Sequence, residues 1–452
     1  MRYSSRIVES RRELSAASRE ALLALITAQD ETIATLERRV ADLERRLSSP
    51  GGGRMPGTKP VAAARPRATG QPRKRRPHGA ARRRSATPTD HVVHAAAACP
   101  QCQTPLSGGW VQRTREVIEL PTTPVRVIEH RYVARVCGQC RRRVLPPAAL
   151  GAVVAGRQRL GAGLVSLIVT LREEDRLPVR TIQRLLTTLY GLRLSVGTIT
   201  AASQRVAQAA APLLTRITAA LRAEPAVYAD ETGWREAGRN RYVWLFGSDR
   251  WALFVAGSRQ KTIVDQVLGT TAGGVLGCDF YAAYHHYPGK KQRCWSHLLR
   301  AIHALRQLYP TDAAVAAWAQ AIHAVFVAAR AEPLLPPEHR RPVQQRYAAQ
   351  LAALCAPYAH TPGAVQRRLS ARMLRHLEEL FVFVGEPGVA ADNNAAERGL
   401  RHLVTARKIS GGTRSPAGTA TKMALASLFG TARLRGTDPL LACFAVLMAH
   451  QV

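Results

Sequence analysis

The sequence predicts a multidomain α+β protein: an N-terminal coiled coil, a small cysteine-bearing ribbon, a helical region, and an α/β core interrupted by an all-helical insertion. Three observations predict it. Apolar residues repeat in heptads over residues 14–48. Two Cys-x-x-Cys pairs bracket a β-rich stretch. From residue 224 the order of elements becomes strand, strand, strand, helix, strand.

The charge narrows the partners. Basic residues number 65 against 31 acidic ones, a formal +34. That balance disfavours an ordinary small-molecule enzyme and points to a long polyanion, nucleic acid first. A hydrophobic share of 46% excludes a wholly disordered basic tail. No membrane partner is expected, because the best apolar stretch, residues 160–171, is short of the ~20 residues a span needs. The first twenty residues carry five arginines and no apolar block, so no secretory signal is read there. Four of the eight cysteines form two close pairs, which fits a metal site in a reducing cytosol.

Residues 1–49 read as a dimerisation helix. Ile26, Ile33, Val40 and Leu47 fall at position a, and Leu22, Gln29, Leu36 and Leu43 at d. β-Branched residues at a with Leu at d favour a parallel two-stranded coil, so a homodimer or higher oligomer is expected. Residues 50–90 form a basic linker, with eleven Lys/Arg and no acid between 54 and 84. Its prolines and glycines preclude a packed core. Arg73, Lys74, Arg75 and Arg76 are its densest cluster for phosphate contact.

Residues 91–145 hold Cys99, Cys102, Cys137 and Cys140. Two knuckles joined by strands, around 117–120 and 125–128, suggest a zinc ribbon. Four thiolates close a tetrahedral site, so its single zinc would be structural. Residues 157–222 are helical. The stretch 177–207 fits a helix-turn-helix with a turn at Gly191 and a cap at Ser195, and equally any αα-hairpin. Thr198, Thr200, Ser203, Gln204 and Arg205 are its candidate base readers.

Residues 223–295 form the first part of the core. A short strand over 226–229 ends in Asp230. A hairpin follows over 242–246 and 251–255, then a helix over 262–268. A strand over 274–278 ends in Asp279, and a fifth strand covers 292–295. That order is ribonuclease-H-like. Its first and fourth strands lie side by side, so Asp230 and Asp279 approach each other and repel unless a divalent cation sits between them. Residues 296–390 are a helical insertion with breaks at Pro333, Pro336 and Pro337, and further boundaries at Pro310 and Pro357. Residues 391–452 complete the core. There Glu397 lies in the first turn of a helix, with Arg398, Arg401, Arg407 and Lys408 as candidate phosphate-binding cations beside it.

Three carboxylates suit two magnesium or manganese ions per site, which activate a water or hydroxyl and stabilise the leaving oxygen of a phosphodiester. The bland alternatives are turn-capping by the two aspartates and a capping box between Asn394 and Glu397. Cys294 and His297 offer only two metal ligands, so packing near the site is the preferred reading for them.

The segments Asp230-Glu231-Thr232-Gly233-Trp234-Arg235, Cys278-Asp279-Phe280-Tyr281-Ala282-Ala283-Tyr284, Gln292-Arg293-Cys294-Trp295-Ser296-His297-Leu298 and Asp392-Asn393-Asn394-Ala395-Ala396-Glu397-Arg398 with Arg407-Lys408 resemble the DDE transposase of the insertion-sequence-66 family. The resemblance implies Asp230, Asp279 and Glu397 as the triad of a bacterial, cytoplasmic, nucleoid-associated enzyme. It implies cutting at terminal inverted repeats, joining of 3′-hydroxyls to target DNA, and helper proteins from the same mobile element. The competing readings are a non-enzymatic zinc-ribbon DNA-binding regulator derived from a transposase, and a nuclease that cuts without joining.

Overall fold

In a computed structural model of the chain, the described residues are 91–112, 114, 125–145 and 159–449 except 272 and 334, together with 31, 34, 37 and 38. The heptad helix lies outside them apart from Glu31, Ala34, Glu37 and Arg38, which are helical. The basic linker lies wholly outside them. The chain divides into two compact units, Met1–Leu36 with Val125–Val452, and Glu37–Pro124.

A five-stranded mixed sheet organises the larger unit. Its strands are β3 (Ala226–Glu236), β4 (Arg239–Gly247), β5 (Ala252–Gly257), β6 (Val275–Cys278) and β7 (Lys291–Arg293), in the order β5-β4-β3-β6-β7. The first three are antiparallel, and β6 and β7 run parallel to β3. β1 (Arg135–Val136) and β2 (Arg143–Val144) form a separate two-stranded sheet. The side-by-side pairing of the first and fourth core strands, expected from the element order, is present.

The period-2 geometry of strands explains the long apolar runs in this sheet. Trp244, Phe246, Leu253, Val227, Ala229 and Leu276 face one side, packing on Ile217 and Leu221 of α4 (Ala211–Ala223) and on α5 (Thr262–Leu268). Val243, Leu245, Ala252, Phe254 and Trp234 face the other, packing on α11 (Asn394–Ser410) and α12 (Pro416–Leu434). Fully burying a side chain such as Trp244 or Phe246 stabilises the fold by about 2 to 3 kcal/mol.

Strand β3 is longer than its sequence suggests. It runs through Asp230 to Glu236 and turns at Ala237 and Gly238. Both have positive φ, 49° and 79°, as a two-residue type I′ hairpin requires. Its second half is polar, and the helix α11 supplies the partners that sequence patterning misses. β7 is shorter than expected, because Trp295 already begins α6 (Trp295–Leu308).

Helices α1 (Ala162–Glu173), α2 (Val179–Tyr190), α3 (Val196–Ala209), α12 and α13 (Pro439–Ala449) share one core of Val165, Ile168, Ile182, Leu186, Ile199, Phe429 and Leu447. Gly191 ends α2 at φ 65°, and Ser195 caps α3 by accepting from the Thr198 N–H at 3.0 Å. Of the candidate readers, Ser203 is 2% exposed and faces this core, so it cannot reach a groove.

The insertion is helical: α6, α7 (Ala313–Ala331), α8 (Pro337–Ala359), α9 (Arg367–Arg375) and α10 (Val382–Gly385). Pro337 begins α8, whereas Pro357 lies inside it instead of ending it. One helix not anticipated as a span, α7, is long and apolar enough to cross a membrane. Trp318, Ile322 and Phe326 on it pack against Trp295, Tyr347 and Leu351 in the insertion's own core.

The edge strand β5 is closed by a helix. Phe254 N–H donates to Ser427 Oγ at 2.8 Å, and Ala252 N–H to Thr431 Oγ1 at 3.1 Å. The spacings agree: four helical residues rise about 6 Å and two strand residues about 6.8 Å.

Candidate active site

Asp230 and Asp279 occupy matching positions on neighbouring parallel strands. Tyr228 pairs with Gly277, and each aspartate lies two residues further along its own strand direction. Alternation puts Asp230 on the face that α11 covers and Glu231 on the opposite face. Asp230 Oδ1 accepts from the Glu231 N–H at 3.0 Å, and Asp279 Oδ1 from the Tyr281 N–H at 2.8 Å.

The helix bearing Glu397 is fastened to β3 at three levels. At its start, Asn393 is buried and its side-chain amide donates to the Ala229 carbonyl at 2.7 Å. Asn393, not Asn394, is the N-cap, and Glu397 is engaged elsewhere, so the capping-box alternative fails. In its last turn, Arg407 donates to Thr232 Oγ1 at 3.2 Å and to the Gly233 carbonyl. Beyond its end, the Thr413 N–H donates to the Arg235 carbonyl and the Ala237 N–H to the Thr413 carbonyl, both at 2.9 Å. Gly412 is required there, since a Cβ would meet the Arg235 carbonyl oxygen at 2.1 Å.

Burial pushes the Asp230 carboxyl up to about 7, helped by the charges of Glu231, Asp279 and Glu397. The three expected carboxylates therefore share one field. Among the described residues, however, no three His, Cys, Asp or Glu side chains are drawn together as a formed metal cluster. Glu397 Oε1 instead meets Arg300 Nη2 at 2.5 Å and His297 Nε2 at 3.8 Å. Burial, then Arg300, lowers the His297 pKa against the pull of Asp279 and Glu397.

Arg300 was missed in the sequence, and His297 was read there as packing near the site. The two are three apart in α6 and so share a face, a signal visible only once α6 is known to start beside the carboxylates. Glu231 is a buried anchor: Arg259 Nη2 and Tyr284 Oη each donate to it at 2.8 Å. Burial raises its pKa, opposed by those two hydrogen bonds. Arg293 is fully buried, donating to the Asp279 carbonyl at 2.7 Å and to Glu379 Oε2 at 2.6 Å.

Of the expected phosphate-binding cations, Arg398, Arg401 and Lys408 are exposed. Arg407 is half-buried and donates to β3 through Nη1. Arg73, Lys74, Arg75 and Arg76 lie outside the described residues. A cavity of about 540 Å³ lined by Leu213, Arg216, Leu428, Arg435 and Val446 contains none of the carboxylates.

Each cysteine pair forms the same local turn. The Cys99 N–H donates to the Thr104 carbonyl and the Gln103 N–H to the Cys99 carbonyl; the Cys137 N–H donates to the Arg142 carbonyl and the Arg141 N–H to the Cys137 carbonyl. The residue after each second cysteine has positive φ, 62° at Gln103 and 54° at Arg141. The Cys102 thiol is lowered to about 7 by hydrogen bonds with Thr104 and Cys99, and the Cys137 thiol is lowered by hydrogen bonds from Cys140 and Gln139. Cys99 and Cys102 fall in one compact unit, Cys137 and Cys140 in the other. No strand forms over residues 125–128, where Val127 is 92% exposed, and the strand expected around 117–120 lies outside the described residues.

Compared with known families, residues 157–421, more than half of the chain, match the one described as "Transposase IS66 family". No curated protein matches the sequence.

Proposed function

The chain belongs to the transposase IS66 family, and on that premise we propose that it is a DDE-type enzyme with a ribonuclease-H-like core. It cuts phosphodiester bonds at the inverted-repeat ends of a mobile element and joins the 3′-hydroxyls to target DNA. Asp230, Asp279 and Glu397 are the catalytic carboxylates in this reading. The observation that carries it is the parallel register of β3 and β6, which sets two acids side by side, with the Glu397 helix fastened to the same strand.

A buried aspartate facing further carboxylates is a donor set of hard oxygens, which fits magnesium or manganese. Two such ions, when bound, supply an activated water or hydroxyl and stabilise the leaving oxygen. The other tasks fall to the chain. Asp230 and Asp279 are held by backbone N–H groups that fix one oxygen of each. Arg398 and Arg401 are exposed within about one turn of Glu397, and Lys408 further along the same helix; in this reading they receive DNA phosphates, and the basic linker adds sequence-independent affinity.

The same reading assigns one structural zinc to Cys99, Cys102, Cys137 and Cys140, dimerisation to the heptad helix, and a working place on the bacterial nucleoid with helper proteins of the element. A regulator without catalysis leaves the half-buried acids unexplained, since drawing Asp230 toward further carboxylates without a partner cation destabilises the fold.

The test is cutting and joining of a labelled element end. Asp230→Asn, Asp279→Asn and Glu397→Gln should each lose both steps by more than about 100-fold while retaining end binding. Normal joining by any of the three removes that residue from the mechanism.

A further inference from the structure

We propose that His297 is a fourth protein ligand of the two-cation site, binding one of its ions as a nitrogen donor among oxygens; this deepens the function just proposed and rests on it. Helix α6 leaves β7 directly, and β7 neighbours β6, whose end precedes Asp279. The Cys294 N–H donates to the Cys278 carbonyl at 2.9 Å, and the Trp295 N–H to the Ala391 carbonyl at 3.1 Å. The first turn of α6 is thereby fixed between the strand leading to Asp279 and the segment leading to Glu397.

His297 projects from that turn. Its Nε2 is 3.8 Å from Glu397 Oε1, and the charges of Asp279 and Glu397 both bear on the ring. At 3.8 Å the two atoms are too far apart for a hydrogen bond. The pair is within reach of a shared ion, since neighbouring octahedral donors about 2.1 Å from a cation lie about 3 Å apart, so a shift of under about 1 Å would bring both onto one ion. Nδ1 is buried without a partner, so no hydrogen bond commits the ring to another role. The ring's side chain is 33% exposed, which leaves room for its neighbours to adjust. Arg300, which holds the same Glu397 oxygen, is 59% exposed and can leave for solvent or a phosphate.

An imidazole ligand has a chemical consequence. Nitrogen donors favour manganese over magnesium more than carboxylates do. The site should therefore bind Mn2+ more tightly than Mg2+, and His297 should set much of that margin.

The experiment uses untagged full-length protein loaded with Mn2+. Electron spin-echo modulation should show a coordinated 14N, replaced by a 15N coupling when histidine alone is 15N-labelled. His297→Gln should lose the coupling and weaken Mn2+ binding by roughly tenfold or more, with a smaller change for Mg2+. His297→Asn serves in its place if the Gln variant does not fold. Mn2+ bound by the wild type without nitrogen coupling, or with coupling that persists in the variant, overturns the role of His297 and leaves the carboxylate reading standing. No Mn2+ binding by the wild type, matching Asp230→Asn, overturns both.

Discussion

The side-chain amide of Asn393 donates to the carbonyl of Ala229 at 2.7 Å, across 164 residues of sequence. The contact fixes where the helix of Glu397 begins relative to the strand of Asp230. Asn393→Ala would leave a buried carbonyl without its donor, at a cost of about 1 to 3 kcal/mol. Asn393→Asp should be no better, because a carboxylate cannot donate. Urea unfolding measures this, and a wild-type midpoint for Asn393→Ala would show that the contact contributes nothing.

Glu231 should matter for stability more than for chemistry. Its side chain is 4% exposed and receives Arg259 and Tyr284 on the face away from Asp230. Glu231→Ala should lose about 2 to 3 kcal/mol, since a buried tyrosine hydroxyl and an arginine lose their acceptor. Asp230→Asn should leave stability nearly intact while abolishing activity. Paired thermal melts and joining assays separate the two, and a Glu231→Ala protein that melts normally but cannot join would reverse the assignment.

Acid should weaken the junction between the insertion and the sheet. Burial works to raise the Glu379 carboxyl, but hydrogen bonds from His376 and Arg293, with the charges of Arg293 and Lys291, outweigh it and hold the pKa at about 2 against an ordinary 4.5. A folded pKa below the unfolded one gives stability that is complete above about pH 4.5 and lost as pH falls toward 2. Between pH 6 and pH 3 the wild type should lose about 1 to 2 kcal/mol more than Glu379→Gln, after allowing for partial exposure of the carboxyl. Identical acid profiles for the two proteins would exclude the effect.

Metal content tests the knuckles. One zinc per chain is expected in protein purified without chelator, and none in Cys102→Ser or Cys137→Ser, since three ligands leave a structural site open. Elemental analysis decides it. Full zinc occupancy in either variant would place the metal elsewhere.

The parts of the fold legible in the sequence are those governed by short-range rules. Gly191 and Ser195 delimit their helices by backbone conformation and capping, and the run 242–246 reads as a strand buried on both faces. What was hidden depends on residues far away in sequence. Residues 231–236 are polar apart from Trp234 and contain a glycine, so they lack the apolar pattern of a strand; they pair with β4, and α11 and the loop at Thr413 cover them. The charge of Arg407 was legible, but not its bonds to Thr232 and Gly233, which lie 174 to 175 residues away in sequence. The contacts of His297 and Arg300 with Glu397 follow from the placement of α6, which no spacing along the chain reveals.

The hydroxyls of Ser427 and Thr431 have a consequence for life at high concentration. An outermost strand with vacant N–H groups is a template for another chain, and self-association through such edges leads to aggregates. Here the N–H groups of Ala252 and Phe254 are already occupied by a helix of the same molecule. Copies of the chain are thereby kept from adhering to one another through this edge of the sheet.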